Sequence, residues 1–554
     1  MIKILPLSPF SLSCAVLIGA ALSSPAAAQS EPAISEKNLV ETVKTITTDL
    51  FEGRAPGTRG EDITIGYLVA RLEALGLEPA GPNGQWTQDV PLLRTRLAPG
   101  AEAKLAVSGK EQIWKFGTDF YASTLQPKDR AIINAAPMVF VGYGINAPER
   151  KWDDFKGVDL KGKIAVFLIN DPDFEAGAKD KVAGKFGGKA MTYYGRWTYK
   201  FEEAARRGAV GALIVHDTPG AGYGWSVVNA PTGENYGLVV PPEKVTSLAL
   251  QGWISGEAAT KIFADAGLNL AQLRTQARSA SFKPVTLADT NFSADIAVDQ
   301  KVVVSRNVLA KISGSTKPDE VVSFGAHWDA YGEGAPDEQG RKYRSGANDD
   351  GIGTAALLEI ARVMKAGPAP KRSVLFGFWT AEERGLLGSE YYAQNPTMPL
   401  GKMVANFGID VLQTAGKAKN VVLIGKRQST LEDDLARVAA SQGRVVTEES
   451  LPERGLFFRA DHFSFAKRGV PVLLMMGIAG ASDLEQGGLA AGQKWVDDYT
   501  GRCYHKACDA YSADWKLAGA IDDIEAVRIL GTDLANSDKW PQWKPGSEFA
   551  KVKR

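Results

Sequence analysis

The alternation of apolar strands with helical segments between residues 303 and 536 constrains the fold of this sequence more than any other feature. Six short runs are mainly apolar, which is typical of strands buried on both faces: 303–312, 321–326, 373–379, 404–409, 421–424 and 471–476. Four segments between or after them have helical spacing: 352–365, 385–394, 430–441 and 516–536. This order predicts an α/β fold with a mostly parallel, mixed sheet that has helices on both faces.

The remainder of the chain predicts at least one further domain, because 554 residues exceed the length of a typical single domain. Between residues 137 and 285, short strands at 138–144, 162–169 and 209–215 are separated by glycine and proline. A glycine-rich loop at 51–60 lies between two helical patterns. Its pattern leaves open whether it is a surface connection or faces a substrate.

The first 28 residues have the features of a secretory signal. Lys3 provides a positive start, a mainly apolar stretch runs to Leu22, and small residues at 26–28 offer a cleavage site. That stretch is interrupted and lacks the ~20 apolar residues of a membrane span, as does every later segment. Little apolar sequence precedes Cys14, which argues against a lipid anchor there. We therefore expect an exported protein without a transmembrane segment.

The charge balance and the cysteines indicate which partners and which cellular compartment the chain suits. Lysine plus arginine equals aspartate plus glutamate at 64 each, so the chain has no basic excess for nucleic acid. Beyond Cys14, the only cysteines are Cys503 and Cys508, five positions apart. In an oxidising compartment this pair favours a disulfide over free thiol ligands.

Residues able to bind a metal follow several of the predicted strands. The carboxyl ends of parallel strands form the ligand edge of such sheets. The candidates at these positions are His327, Asp329, Asp349, Glu382, Glu383, Asp410 and His505. Each alone would be a cap or a solvated charge, but together they predict a site. Nitrogen and oxygen ligands without thiolates suit zinc, with manganese or cobalt as possible substitutes.

These strings resemble the zinc-dependent aminopeptidase family with co-catalytic metals, whose relatives include glutamate carboxypeptidase and glutaminyl cyclases. The resemblance rests on His327-Trp328-Asp329, Gly346-Ala347-Asn348-Asp349-Asp350-Gly351-Ile352-Gly353, Thr380-Ala381-Glu382-Glu383-Arg384-Gly385-Leu386-Leu387-Gly388-Ser389, Ile409-Asp410 and Tyr504-His505. Residues 141–145, 152–155 and 159–163 resemble the protease-associated domain, a small β-rich module. The resemblance implies a zinc exopeptidase-like domain at 29–130 and 286–554 with a protease-associated domain inserted at 131–285.

The resemblance also implies two zinc ions and a role for each candidate. Asp349 would bridge the ions, His327 and Asp410 would complete one site, and Glu383 and His505 the other. Glu382 would be the general base, and Asp329 would orient His327 through its second ring nitrogen. The peptide between Asp349 and Asp350 would be strained, with cis as one of the forms that the resemblance allows. Asp461 and His462 would begin a short helix beside the cleft, with His462 either in the pocket or structural.

The function that follows is an exported metallo-aminopeptidase, which removes N-terminal residues from peptides by attack of a di-zinc-bound hydroxide. Carboxypeptidase or dipeptidase specificity is an alternative, for which Arg344, Arg454 and Arg459 are available to bind a far carboxylate. Glutaminyl cyclisation and a non-catalytic receptor-like role are further alternatives. The intact set of candidate ligands argues against the last.

Overall fold

The computed structural model of the protein describes residues 1–3, 33–229 and 233–553. Most of the predicted signal segment, including Cys14, lies outside the described residues. Within the described ranges, no helix is both long enough and apolar enough to cross a membrane.

The predicted α/β sheet occupies the carboxyl-terminal half of the chain. Its strands lie in the order Val472–Met475, Met403–Ile409, Lys317–His327, Arg372–Trp379 and Val285–Ile312. The first three junctions are parallel and the last is antiparallel. The mostly parallel, mixed sheet predicted from the apolar runs is therefore confirmed.

Helices cover both faces of this sheet. One apolar core contains residues of Glu36–Ile46, Arg59–Ala74, Ile352–Ala366, Leu431–Ser441 and Ala518–Ala535. The opposite core contains residues of Leu387–Gln394 and His462–Ala466, with Gly488–Arg502 packed at its edge. In the first core, the ring of Phe324 stacks on Phe376 and Phe407 from the two neighbouring strands, at 5.7 and 5.5 Å between centroids.

One predicted strand lies outside the main sheet. Residues Asn420–Leu423 pair in parallel with Val445–Glu448 in a separate two-stranded sheet. A short apolar run predicts an extended segment but not its partner, which depends on tertiary packing. In the main sheet, the strand that pairs with the outer side of Met403–Ile409 is Val472–Met475 and not Asn420–Leu423.

The long strand Val285–Ile312 joins the main sheet to a second core. Its end pairs with Arg372–Trp379, its middle with Thr87–Leu97, and its beginning with Arg130–Phe140. The second core adds the strands Phe120–Ser123, Ile164–Leu168, Gly211–Val215 and Leu250–Ile254, and the helices Gly256–Asp265 and Leu270–Ala277. The helix Trp197–Arg206 packs on the other face of these strands. The buried residues of the second core run from Leu97 to Val298, so strands that precede residue 131 also pack in it.

Shorter strands and two one-turn α-helices lie between these elements. The strands are Glu78–Pro79, Glu102–Val107, Lys110–Lys115, Asn146–Ala147, Trp152–Asp153, Glu234–Leu238, Gly332–Glu333 and Tyr343–Arg344. The one-turn helices are Thr218–Ala221 and Trp225–Val228.

The residues around Met191, which follow the strand Ile164–Leu168, pack against the segment that precedes Val472–Met475. The Met191 N–H donates to the Pro452 carbonyl at 3.1 Å, and the ring centroid of Tyr193 lies 5.2 Å from that of Phe463. The two parts of the chain are therefore in direct contact beside the carboxyl edge of the main sheet.

Candidate metal centre

The five predicted ligands converge at the carboxyl edge of the main sheet. His327 ends a strand, Asp410 directly follows a strand, and Glu383 follows the strand Arg372–Trp379. Asp349 lies in the loop before the helix Ile352–Ala366, and His505 lies just beyond the helix Gly488–Arg502. Parallel strands bring these positions to one edge, which is why residues distant in sequence meet there.

The five side chains form two groups that share Asp349. One group is His327, Asp349 and Asp410, and the other is Asp349, Glu383 and His505; in each, the potential ligand atoms lie within 4.8 Å of one another. Asp349 Oδ1 is 3.2 Å from His327 Nε2, while its Oδ2 is 3.2 Å from His505 Nε2. Each oxygen of one carboxylate thus faces a different group.

The electrostatics of the two groups are those of a cation site. Asp410 Oδ1 is buried without a hydrogen-bond partner in the described part of the chain, an arrangement that is costly without a cation. Burial raises the pKa of Asp349, but hydrogen bonds from His327 and His505 outweigh burial and hold that pKa below its usual range. Imidazole and carboxylate ligands without thiolates match the donor set of zinc, so these residues fit the metal.

Glu382 lies beside the two groups but belongs to neither. Its Oε2 is 3.8 Å from His327 Nε2, and the side chain is 9% exposed. Burial raises the pKa of Glu382 well above its usual value, and the negative charges of Asp410 and Glu383 raise it further. A carboxylate next to a metal site but outside its ligand set is placed to exchange a proton with a water molecule.

Asp329 contacts the site through its backbone and its side chain. His327 Nδ1 is 3.1 Å from the backbone carbonyl oxygen of Asp329 and 3.7 Å from its carboxylate Oδ1. The same Oδ1 accepts the Glu382 backbone N–H at 3.0 Å. Asp329 therefore lies between the general-base candidate and one ligand, and its role in orienting His327 stays a prediction.

The loop that carries Asp349 is fixed by its neighbours. The peptide bond between Asp349 and Asp350 is cis, as the family resemblance implied. Asp350 accepts the His327 N–H at 3.3 Å through Oδ2 and the Gly353 N–H at 3.0 Å through Oδ1. Asp350 thus anchors the start of the following helix and ties the loop to a neighbouring ligand.

His505 lies in a loop closed by a disulfide. Cys503 and Cys508 are bonded, with their Cα atoms 5.0 Å apart, which confirms the predicted pairing. Tyr331 Oη is 3.2 Å from His505 Nδ1. The ring nitrogen opposite Nε2 therefore has a fixed partner, as is usual for a metal-binding histidine.

Three residues that the sequence analysis did not select support the site. They are Tyr331, Asp509, which accepts backbone N–H groups of the Asp349 loop, and Arg54, which donates to carbonyls of two ligand loops. Asp509 directly follows Cys508, and Arg54 lies in the glycine-rich loop. The positions of Asp509 and Arg54 in the sequence do not predict these long-range contacts.

His462, left open by the sequence, lies at the start of its predicted short helix. Its ring meets the ring of Phe457 edge-on, with 5.0 Å between centroids. Burial lowers the pKa of His462 to about 3 because the charged imidazolium is disfavoured there. These surroundings favour a packing role over a role in the pocket.

Histidine–carboxylate groups at the carboxyl edge of a largely parallel sheet define a metallohydrolase type of site. Residues 307–527 match the model of Peptidase family M28. This segment contains all five predicted ligands and is similar to the members of that family.

The chain is similar to several named proteins. Leupeptin-inactivating enzyme 1 of Streptomyces exfoliatus is 32% identical over 209 residues, which cover 37% of this chain and 43% of that protein. Aminopeptidase Y of Saccharomyces cerevisiae is 25% identical over 357 residues, with coverages of 63% and 51%. The chain thus spans about half the length of these curated relatives.

A solved structure of an aminopeptidase from Aneurinibacillus sp. strain AM-1 aligns over 94% of this chain and 96% of its own, with a TM-score of 0.49 and 18% identity.

Proposed function

We propose that this protein is an exported zinc aminopeptidase with two metal ions per chain. The observation that carries the proposal is the pair of ligand groups joined by Asp349, with His327 and Asp410 on one side and Glu383 and His505 on the other. The match to Peptidase family M28 and the similarity to Aminopeptidase Y support it. The disulfide between Cys503 and Cys508 supports export, because such bonds persist in oxidising compartments.

Zinc bound by these residues would acidify a water molecule and polarise the carbonyl of the scissile peptide. Glu382, next to His327 but outside both ligand groups, takes the proton of the attacking water and passes it to the leaving amine. The backbone N–H of Glu382 is held by Asp329, which fixes the start of the side chain that moves the proton.

The region that we propose as the protease-associated insert borders the site. The guanidinium of Arg384, directly after Glu383, lies 5.1 Å from the ring centroids of both Tyr331 and Tyr236. Tyr236 belongs to the strand Glu234–Leu238, so the stack joins the metal edge to the region inserted in the chain. A site walled in this way favours the end of a peptide over the middle of a folded chain.

Carboxypeptidase or dipeptidase specificity is the second candidate, because of arginines near the site. Arg344 lies 5.1 Å over the ring of Tyr331. Burial lowers the pKa of Arg459, but Tyr504, Tyr223 and Glu382 outweigh it and raise that pKa above its usual value. Arg454, the third candidate arginine, lies beside Gly222.

A panel of short peptides separates these functions. Each peptide is supplied with a free amine, with an acetylated amine and with an amidated carboxyl end, and the products are identified by mass. We expect release of the N-terminal residue from free-amine peptides, insensitivity to amidation, loss of activity with chelator and recovery with added zinc. Release of C-terminal residues from acetylated peptides, or of ammonia from N-terminal glutamine, would overturn the aminopeptidase proposal in favour of the corresponding alternative.

A further inference from the structure

Arg54 is a fully buried cation beside the carboxyl edge of the main sheet, and the proposed reaction does not use it. It lies in the glycine-rich loop at residues 51–60, whose role the sequence left open, and outside the segment matched by the family model. Its relative exposure is 0%. Burying a charged guanidinium costs free energy, because the group loses its hydration. That cost must be offset by contacts within the protein.

The contacts of Arg54 are with backbone carbonyls, not with one acidic partner. Its Nε donates to the Trp328 carbonyl at 2.7 Å, and its Nη2 to the Gly346 carbonyl at 2.9 Å. Its Nη1 donates to the carbonyls of Ser345 at 2.5 Å and Ile46 at 3.1 Å. The planar guanidinium therefore bridges three chain segments at fixed angles, which a lysine ammonium cannot reproduce.

Two of these segments carry predicted ligands. Trp328 directly follows His327, and Gly346 precedes Asp349 by three residues in the same loop. The carbonyl of Arg54 itself accepts the Ala330 N–H at 3.3 Å, so the contact with the His327 loop is double. One side chain thus sets the separation between the loop of the terminal ligand His327 and the loop of the shared ligand Asp349.

The positive charge of Arg54 lies among the carboxylates that surround the two ligand loops. Burial lowers the pKa of Arg54 to about 10, against which Asp329, Asp509, Asp350 and Asp349 raise it, so the group stays charged at neutral pH. The carboxylates that crowd this edge would otherwise repel one another across the two loops. A fixed cation beneath the loops offsets that repulsion without occupying a ligand position.

We propose that Arg54 is a positioning residue of the metal centre, which holds the His327 and Asp349 loops at the spacing that zinc binding requires. This inference rests on the proposed function only in taking zinc as the metal. Residues that hold metal ligands in place typically change metal affinity by about 10–100-fold when they are replaced. Arg54 acts through backbone carbonyls. Replacing it therefore changes the positions of the ligands but removes none of the metal-binding side chains.

The test compares Arg54→Met with Arg372→Met. Arg372 is also 0% exposed and donates to the backbone carbonyls of Leu534 and Lys539, but it begins the strand whose opposite end leads to Glu383. Zinc affinity is measured by competition with a chromogenic chelator, and the visible spectrum of the cobalt-substituted proteins is recorded. We expect the zinc dissociation constant to rise about 10–100-fold in Arg54→Met and to stay at the wild-type value in Arg372→Met.

Further variants keep the test decisive if Arg54→Met does not fold. Arg54→Lys keeps the charge but loses the planar set of donors, so we expect a raised zinc dissociation constant and an altered cobalt spectrum. In Arg54→Ala, millimolar methylguanidinium should restore zinc affinity towards the wild-type value. Wild-type zinc affinity and an unchanged cobalt spectrum in any folded Arg54 variant would overturn the inference. Failure of the whole peptide panel with these zinc effects intact would reject the proposed peptidase activity alone.

Discussion

Asp509 accepts the backbone N–H of Asp349 at 3.1 Å through Oδ2 and that of Asn348 at 3.0 Å through Oδ1. Tyr499 donates its hydroxyl to Oδ2 at 3.0 Å. Because Asp509 directly follows Cys508, one short segment both carries His505 and fixes the loop of the ligand shared by the two groups. The geometry of one ligand loop therefore depends on the other.

We expect Asp509→Asn to weaken zinc binding by about 10–100-fold. An amide has only one accepting oxygen, so it cannot accept from both backbone N–H groups, and its NH₂ faces a donor. Isothermal titration of the metal-free protein with zinc measures the effect. The control is Asp523→Asn, a buried aspartate paired with Arg444 on another part of the fold, which should lose stability but not zinc affinity. Equal zinc affinity in both variants and the wild type would refute the role of Asp509.

We expect Gly346→Ala to destabilise the protein by ~2–4 kcal/mol and to lower its zinc affinity. Gly346 has φ 51°, and a Cβ there would lie 2.1 Å from the Asp349 carbonyl oxygen. Relief of that contact must move the loop that carries Asp349. Chemical unfolding of the metal-free protein gives the stability change.

The matched control for this variant is Gly66→Ala in the helix Arg59–Ala74. A Cβ at Gly66 meets nothing within 4 Å, so the change should stabilise the protein by ~0.5–1 kcal/mol. Zinc affinity should stay at the wild-type value. Similar stability changes in the two variants would contradict the argument from the crowded loop.

The sequence predicted that these side chains meet at one edge of the sheet, because each candidate can be recognised from the apolar run that precedes it. Three of the apolar runs end at or just before His327, Asp410 and the pair Glu382–Glu383, and parallel pairing of those three strands brings their ends together. Arg54 and Asp509 could not be predicted, because their partners are backbone groups hundreds of residues away along the chain or behind a ligand loop. Identity of a side chain is visible in a sequence, whereas the carbonyl or N–H that it meets is set by tertiary packing.

We expect the disulfide to support the zinc site that contains His505 more than the other site. His505 has φ 63°, a left-handed backbone conformation, inside the loop closed by Cys503 and Cys508. Opening so short a loop costs about 2 kcal/mol in the chain-entropy model, and it frees His505 from Asp349 and Glu383. The double variant Cys503→Ser/Cys508→Ser should therefore lose one of two zinc ions at chelator concentrations that the wild type tolerates.

Thiol titration and reductant complete that test. The folded wild type should show no free thiol at these two positions. Reductant should lower the zinc content of the wild type as far as the double variant does and leave the double variant unchanged. Retention of both zinc ions by the double variant would count against a role for the loop in holding His505.

We expect Glu382→Gln to lower kcat by about a hundredfold to ten-thousandfold while zinc affinity stays close to the wild-type value. Glu382 is adjacent to His327 but belongs to neither ligand group, so the amide removes proton transfer and leaves the ligands in place. The neighbouring change Glu383→Gln removes a predicted ligand instead and should lose zinc together with rate. An exposed glutamate, Glu333, which pairs with Lys342, provides the control Glu333→Gln with unchanged kcat. Metal content by atomic emission and kcat on a free-amine dipeptide reporter separate the three cases. If Glu382→Gln kept both its zinc and its full kcat, proton transfer by this residue would be excluded and the proposed chemistry with it.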